Sequence, residues 1–470
     1  MADSTITDVA FAAESPPART FTRLIVLIDA DAPAAGSSLH GLDDVDEVRF
    51  QRGPRAAART TERGRRILTL RQPDGRMSSD HGALRRDGAG WMLDDPASKN
   101  GAMVDGVVVR RAPLHDGALI QLGHTWFLFR ASDGAVVPPH LAGDVAATEL
   151  PRWPRGLATF EPGLATQFAA LARIAPRPTS VLVHGETGTG KELVARAVHE
   201  LSGRDGPFVA VNCAALPPTL LEGELFGHRR GAFSGATADR RGLVRSADRG
   251  TLFLDEIGEL APAAQAALLR VLQEREVVPL GDDRPVGVDV RIVAATLRDL
   301  TAAIAADRFR ADLYARLAAH VVTLPPLRAR REDLGMLIAT MVPAHARVAP
   351  GALRRLLEHA WPLNIRQLAQ VLARAWDLAD DGVIQVAQLP DDVRAPDARP
   401  AAEPAAARPA AADAPPALDA EDLALRATLV DLLTTHRGNV VAVAEALGKR
   451  RAQIYKWARR LAIDLAAFRG

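Results

Sequence analysis

The chain has 470 residues, too many for one compact core, and at about 100 to 200 residues per domain it predicts two to four domains. A hydrophobic content of 48%, a charged content of 24% and a net charge of +1 exclude disorder throughout, and the global charge points to no partner. The single cysteine, Cys213, excludes an internal disulfide and a cysteine-built zinc site; with no basic-apolar leader and no apolar run of about 18 residues, a cytoplasmic protein is expected.

In chain order, residues 1–19 predict a flexible start. TRLIVLI (22–28), DEVRFQ (46–51), RRILTLR (65–71), GALRR, GWMLDD, GVVVRR and HTWFLFR (124–130) are short strand-like runs between Gly, Asp and Pro turns, which predicts an all-β sandwich over 20–132. Pro and Gly then interrupt residues 133–154, which predicts a linker. From 155 to 395 the pattern alternates: SVLVHG, TLFLDE and VRIVAAT are strand-like, while KELVARAVHELS and APAAQAALLRVLQ have helical spacing. That alternation predicts an α/β fold, a parallel sheet with covering helices. In residues 395–417, twelve Ala and six Pro fill 18 of 23 positions, so 396–417 is expected to be a semi-extended tether. Beyond it, 418–470 predicts an all-α piece in which NVVAVAEAL and RAQIYKWARRLA are spaced as a helix-turn-helix. Residues 436–470 carry eight Lys/Arg against two Asp/Glu, a basic end that the neutral total conceals.

GETGTGKE (185–192) stands between a strand-like and a helical run, the context a phosphate-binding loop requires. Gly185, Gly188 and Gly190 let backbone N–H groups turn toward phosphate oxygens, Glu186, Thr187 and Thr189 complete the loop, and Lys191 supplies a charge. Glu192 takes the position where Ser or Thr is general. The bland alternative is a plain glycine turn. Asp255 and Glu256 end the apolar run TLFL, where unpaired carboxylates are costly. Asp255 is placed to hold Mg²⁺ and Glu256 to deprotonate an attacking water, unless both are helix-capping acids.

With the blocks between them, these residues resemble the AAA+ domain of bacterial enhancer-binding proteins, the ATPase activators of sigma-54 RNA polymerase, over about 155–395. ELFGHRRGAFSGA (224–236) is the most specific element. Gly231, Ala232, Phe233, Ser234, Gly235 and Ala236 match the family's GAFTGA loop, which implies contact with sigma-54; from the residues alone the segment is a hairpin tip or a mobile contact loop. Ser234 stands where Thr is usual. The resemblance further implies a lid subdomain from about 328, ATP with Mg²⁺, and a ring, a hexamer in the family. It makes Arg310 and Arg316 arginine fingers acting on a neighbouring subunit's nucleotide, the bland reading being surface pairs with Asp307 and Asp312. It makes Asn212 a restraint on Glu256 and Arg366 the sensor II arginine. After Thr296 the usual Asn is replaced by Leu297, whose side chain cannot hydrogen-bond, so a γ-phosphate signal must pass through Thr296 or be lost.

Residues 20–132 resemble a forkhead-associated (FHA) domain through MSSDHG (77–82), DDPASKNGAMVDG (94–106) and LHDGALIQLG (114–123). That implies a phosphothreonine site, with Arg52, Ser78, Ser79 and Asn100 as candidates and His81 as scaffolding. Gln51 and Asp105 depart from the family pattern, and a sandwich kept only for docking is the alternative. Residues 438–463 resemble a Fis-type helix-turn-helix. Lys449, Arg450, Arg451, Gln453, Lys456, Arg459 and Arg460 lie outside the two apolar stripes and are the DNA candidates, or else a solvated face. The expectation is an ATP-driven, sigma-54-dependent activator that binds upstream DNA and is gated by a phosphothreonine partner or Ser/Thr kinase. The alternatives are a DNA-binding regulator with impaired ATPase activity and a remodeller of another target.

Overall fold

A computed structural model describes residues 20–88, 90–133, 137–151, 153–232, 236–395, 428–429, 431–436 and 440–448. The chain divides into two units, 1–397 and 398–470. The first begins with a sandwich of a seven-stranded and a six-stranded sheet. In the larger sheet, Thr20–Asp29 pairs antiparallel with Thr125–Asp133 on one side and with Ser38–Gly41 on the other. In the smaller, Glu47–Arg52 lies between Arg65–Gln72, parallel, and Ala83–Asp87, antiparallel.

Leu24, Val26, Phe127 and Phe129 share the core between the sheets with Phe50, Leu70, Leu84 and Trp91. Phe50 meets Phe127 edge-on at 4.9 Å between ring centroids. The intervening Ile25, Leu27, Trp126 and Leu128 belong to a second core, with Leu334, Ile338, Leu353, Trp361 and Leu372 of the helical lid. A strand covered on both faces loses its alternation, which is why TRLIVLI and HTWFLFR read as continuous apolar runs. The lid helix Leu334–Met341 lies so close that a Cβ at Gly335 would stand 1.9 Å from the Leu27 carbonyl oxygen. Only glycine allows that approach.

The region expected as a linker, 133–154, is instead largely packed. Asp144–Ala146 adds a strand beside Ser38–Gly41, and Leu141, Val145 and Leu150 are buried in the lid-facing core. Its Pro and Gly mark tight turns, such as the 3-10 turn Pro139–Leu141. GVVVRR splits into Val107–Val109 and Arg111–Leu114, which edge different sheets. The strand Ala56–Glu62 has every residue exposed, so no alternation marks it in the sequence.

The region that follows holds a five-stranded parallel sheet in the order Phe208–Asn212, Thr251–Asp255, Arg291–Thr296, Val181–Gly185, Val321–Leu324. Helices Lys191–Leu201 and Pro262–Glu274 bear the apolar stripes expected of covering helices, burying Val194 and Val198 in one and Leu268 and Val271 in the other. The carboxyl ends of the strands gather Asn212, Asp255, Thr296 and the loop after Gly185, the edge where open α/β sheets bind ligands. In the second unit, Val440–Ala446 is helical and Leu429, Leu433, Val443 and Ala444 are buried. No helix among the described residues is long and apolar enough to cross a membrane.

Cys213 is buried, and burial together with Asp255 and Glu256 pushes its thiol up to about 12. Since the thiolate is the reactive form, iodoacetamide at neutral pH is expected to leave the native chain unlabelled and to label it only as the domain unfolds, as followed by mass spectrometry across a urea series.

Candidate functional site

The glycine loop is held from the lid side, residue by residue. Asn364 is fully buried at φ +56° and makes three kinds of contact: its Oδ1 accepts from Leu327 N at 2.7 Å, and its Nδ2 donates to Thr187 O at 3.0 Å and Glu186 Oε2 at 3.1 Å. Arg328 grips the Glu186 carboxylate with two bonds of 2.6 and 2.9 Å; these, and then Asn364, hold that carboxyl down at about 2. Gly188, at φ +79°, meets the lid most closely, since a Cβ there would fall 2.2 Å from Leu363 O. The Arg366 backbone N–H reaches Gly188 O at 3.4 Å, and its side chain is exposed. Thr189 bonds back to Glu186 O through its hydroxyl at 2.8 Å, and Arg330 donates to Thr189 O at 3.0 Å. Gly190, at φ +104°, opens the helix Lys191–Leu201.

Lys191 is buried, with Nζ 3.0 Å from Gly185 O and 3.3 Å from Glu256 Oε1. The other carboxylate oxygen of Glu256 accepts from the backbone N–H of Leu297 at 3.3 Å. At this position the main chain supplies Glu256 with a donor, where the leucine side chain has none. Glu256 adopts φ +53°, ψ +50°, a left-handed conformation costing roughly 1 to 2 kcal/mol for a residue with a Cβ. Asp255 accepts from Glu256 N at 3.1 Å, and burial raises its carboxyl against the pull of Lys191. Thr296 is buried, with its hydroxyl accepting from Arg298 N at 3.0 Å. A loop without side chains at 185, 188 and 190, a helix N-terminus, one ammonium and two carboxylates is a donor set that suits a nucleotide polyphosphate with a divalent cation. Asp255 and Glu256 are the groups that could hold the cation.

The side chains of the other candidates turn to different partners or to solvent. Glu192 is turned along its helix to Arg196 at 2.7 Å. The Asn212 side chain accepts from Ala214 N at 2.8 Å, while Glu256 is engaged by Lys191 and Leu297. Arg310 precedes the helix Ala311–Leu317 and pairs with Asp312 at 2.7 Å, as the bland reading has it; Arg316 is exposed on the same helix. In the loop 231–236, Gly231 N donates to Ala236 O at 2.8 Å, closing the base, and Ala236 is buried. The preceding Arg229 fixes that base through Asp239 and Asp282, each at 2.7 Å. Phe233, Ser234 and Gly235 lie outside the described residues, as do Lys449, Arg450, Arg451, Gln453, Lys456, Arg459 and Arg460.

At one end of the sandwich, Arg52 N donates to Ser78 O at 3.1 Å, Ser78 Oγ accepts from Lys99 N at 3.3 Å and Asn100 Nδ2 donates to Arg76 O at 2.6 Å. The three candidates therefore converge, with the Arg52 and Ser79 side chains exposed. His81 is buried between the two loops, accepting from Ser78 N and meeting Gly101 O at 3.1 Å, the scaffolding expected of it. Sequence reasoning missed Asn364, Arg328 and Arg330. For the two arginines a signal was available: RARRED (328–333) sets five charged residues before an apolar helix, and charges flanked so closely by core are rarely free of partners.

Three family models match the chain: the sigma-54 interaction domain over residues 157–323, the AAA+ ATPase lid domain over 328–406 and the FHA domain over 64–123. The acetoin catabolism regulatory protein of Cupriavidus necator is 42% identical over 345 residues, 70% of this chain and 51% of that protein. The transcriptional regulatory protein GlrR of Escherichia coli is 37% identical over 327 residues, covering 68% of this chain and 70% of that one. The chain spans about half the length of several curated relatives it matches. Among solved structures, NtrX from Brucella abortus in complex with ATP is 30% identical, covering 66% of this chain and 70% of that one, with a TM-score of 0.46.

The close approach at Gly188 yields a prediction. Gly188→Ala demands a positive φ of a residue with a Cβ and drives Leu363 O away. Titration with a fluorescent ADP analogue is expected to show affinity lowered by more than tenfold, with the melting temperature recorded alongside to show that the variant is folded; unchanged affinity would refute the lid's grip on this loop.

Proposed function

This chain belongs to the family of sigma-54-dependent AAA+ transcriptional regulators, with an FHA domain ahead of the ATPase module, and from that premise we propose that it hydrolyses ATP to remodel sigma-54 RNA polymerase at promoters. The observation that carries the reading is the convergence of Lys191, Asp255 and Glu256 beneath the glycine loop. Bound Mg²⁺–ATP supplies the phosphoryl group and the cation that neutralises its developing charge. Lys191 is the group through which phosphate occupancy reaches Glu256: an ammonium drawn toward phosphate oxygens frees the carboxylate to take a proton from water. The Leu297 N–H keeps that carboxylate oriented. Asp255 holds the cation.

Arg310, just before the short helix Ala311–Leu317, and Arg316 on it, both exposed, act on the nucleotide of the next subunit in a ring, which ties hydrolysis to assembly. The segment 231–236, whose base is closed by the bond from Gly231 N to Ala236 O, is the part that contacts sigma-54. The basic C-terminal segment 449–460 anchors the ring on upstream DNA, and the face formed by Arg52, Ser78, Ser79 and Asn100 binds a phosphothreonine partner that gates assembly.

Two measurements follow. Purified full-length protein is expected to release phosphate from ATP, and Lys191→Ala to reduce the rate to background; wild-type release no faster than that variant would favour a DNA-binding regulator without an active ATPase. Arg52→Ala is expected to weaken binding of a phosphothreonine peptide at least tenfold by calorimetry with an unchanged melting temperature, since its guanidinium is exposed; equal affinity would leave the sandwich a docking module.

A further inference from the structure

The sandwich and the glycine loop are joined by a continuous set of buried polar contacts through RARRED. Arg330, 5% exposed, donates from Nη2 to Thr189 O in the loop at 3.0 Å. Its Nη1 stands 3.9 Å from Asp333 Oδ2. Asp333, 1% exposed, accepts from Thr159 Oγ1 and from Phe160 N, both at 2.7 Å. The carbonyl of Phe160 in turn accepts from Arg23, a buried residue of the first sandwich strand, at 3.3 Å. Beside this line, Glu332, 1% exposed, receives Arg130 of the sandwich strand Thr125–Asp133 at 2.6 Å, and Arg331 donates to Gly117 O of the sandwich at 3.3 Å.

These contacts are energetically consequential because the ions are out of water. A buried carboxylate stripped of its partner must take a proton or move, and either costs far more than a surface pair is worth. Burial already pushes the Glu332 carboxyl upward, opposed first by Arg130. The lid helix behind it is seated closely on the sandwich, where a Cβ at Gly335 would meet Leu27 O at 1.9 Å. A displacement forced on Glu332 therefore passes along the segment to Arg330, two residues away.

We propose that Arg330 is a positioning residue for the nucleotide loop and that Arg130 of the FHA sandwich holds it in place through Glu332, so that the sandwich sets nucleotide affinity through residues other than the phosphothreonine candidates. The inference rests on the reading of residues 185–191 as a nucleotide site. Both arginines act on the loop's carbonyl geometry and neither touches phosphate, so removing them weakens binding and leaves the chemical step at saturation nearly unchanged.

The test uses the full-length chain, a fluorescent ADP analogue for Kd and phosphate release at saturating ATP for kcat, with melting temperatures recorded alongside. Arg130→Gln and Arg330→Gln are each expected to raise Kd about fivefold with kcat within about twofold, and Arg130→Lys to return Kd to within about twofold of wild type. The double variant is expected to raise Kd well short of the product of the single effects, because both act through one segment. Glu332→Gln, in which Arg130 keeps its bond to Asp116 at 2.9 Å, is the variant least disruptive to folding and is expected to raise Kd about threefold. Wild-type Kd in Arg130→Gln or Glu332→Gln, or strictly multiplicative effects in the double variant, overturns the relay. A wild-type chain that binds the analogue and does not hydrolyse ATP refutes the proposed function and leaves the relay standing; one that binds no nucleotide refutes both.

Discussion

The contact on which the rest of the structure depends is the lid's hold on residues 186–189. A glycine loop is permissive by construction, and left alone it samples many arrangements of its N–H groups. Here Asn364, Arg328, the Leu363 carbonyl and Arg330 address four consecutive residues, so the loop is shaped from outside before any ligand arrives. Preorganisation of that kind is where a phosphate site gains its electrostatic advantage, because the dipoles need not reorganise when charge develops. It also gives the lid an energetic stake in the nucleotide. The lid is, in turn, the element against which the sandwich packs its second apolar face.

How much of this was legible depended on which physical signal each part carries. Strand, loop and helix context was enough to bring Lys191, Asp255 and Glu256 to one edge, since a parallel sheet delivers its carboxyl ends there whatever the intervening sequence. The sandwich was legible from its turns. The joint was not, because Pro and Gly in 133–154 have two meanings, tether and tight turn, and only the burial of Leu141, Val145 and Leu150 distinguishes them. A second reading was available: HTWFLFR and TRLIVLI are apolar at successive positions, and a strand of that kind asks for cover on both faces. The packing partner was too distant in sequence for any local pattern to name it.

The departures at single positions show the same limit. A side-chain argument about Leu297 correctly removed a donor, yet the donor that reaches Glu256 is the main-chain N–H of that very residue, available to any amino acid except proline. Likewise, Asp105, which stands where the FHA pattern has Asn, accepts from Leu119 N at 3.1 Å and meets His115 Nε2 at 2.8 Å, a local structural task invisible from spacing. Residue-type reasoning sees chemistry carried by side chains; it is blind to backbone groups placed by the fold.

The central claim is that cleavage of nucleotide in the Lys191–Glu256 cluster moves the segment 231–236 against sigma-54. Its most direct test is the fraction of open complexes formed by sigma-54 polymerase on a supercoiled promoter with the chain assembled on upstream DNA. With ATP the account predicts melted promoter, and with a non-hydrolysable analogue a closed complex; equal opening with both would contradict it.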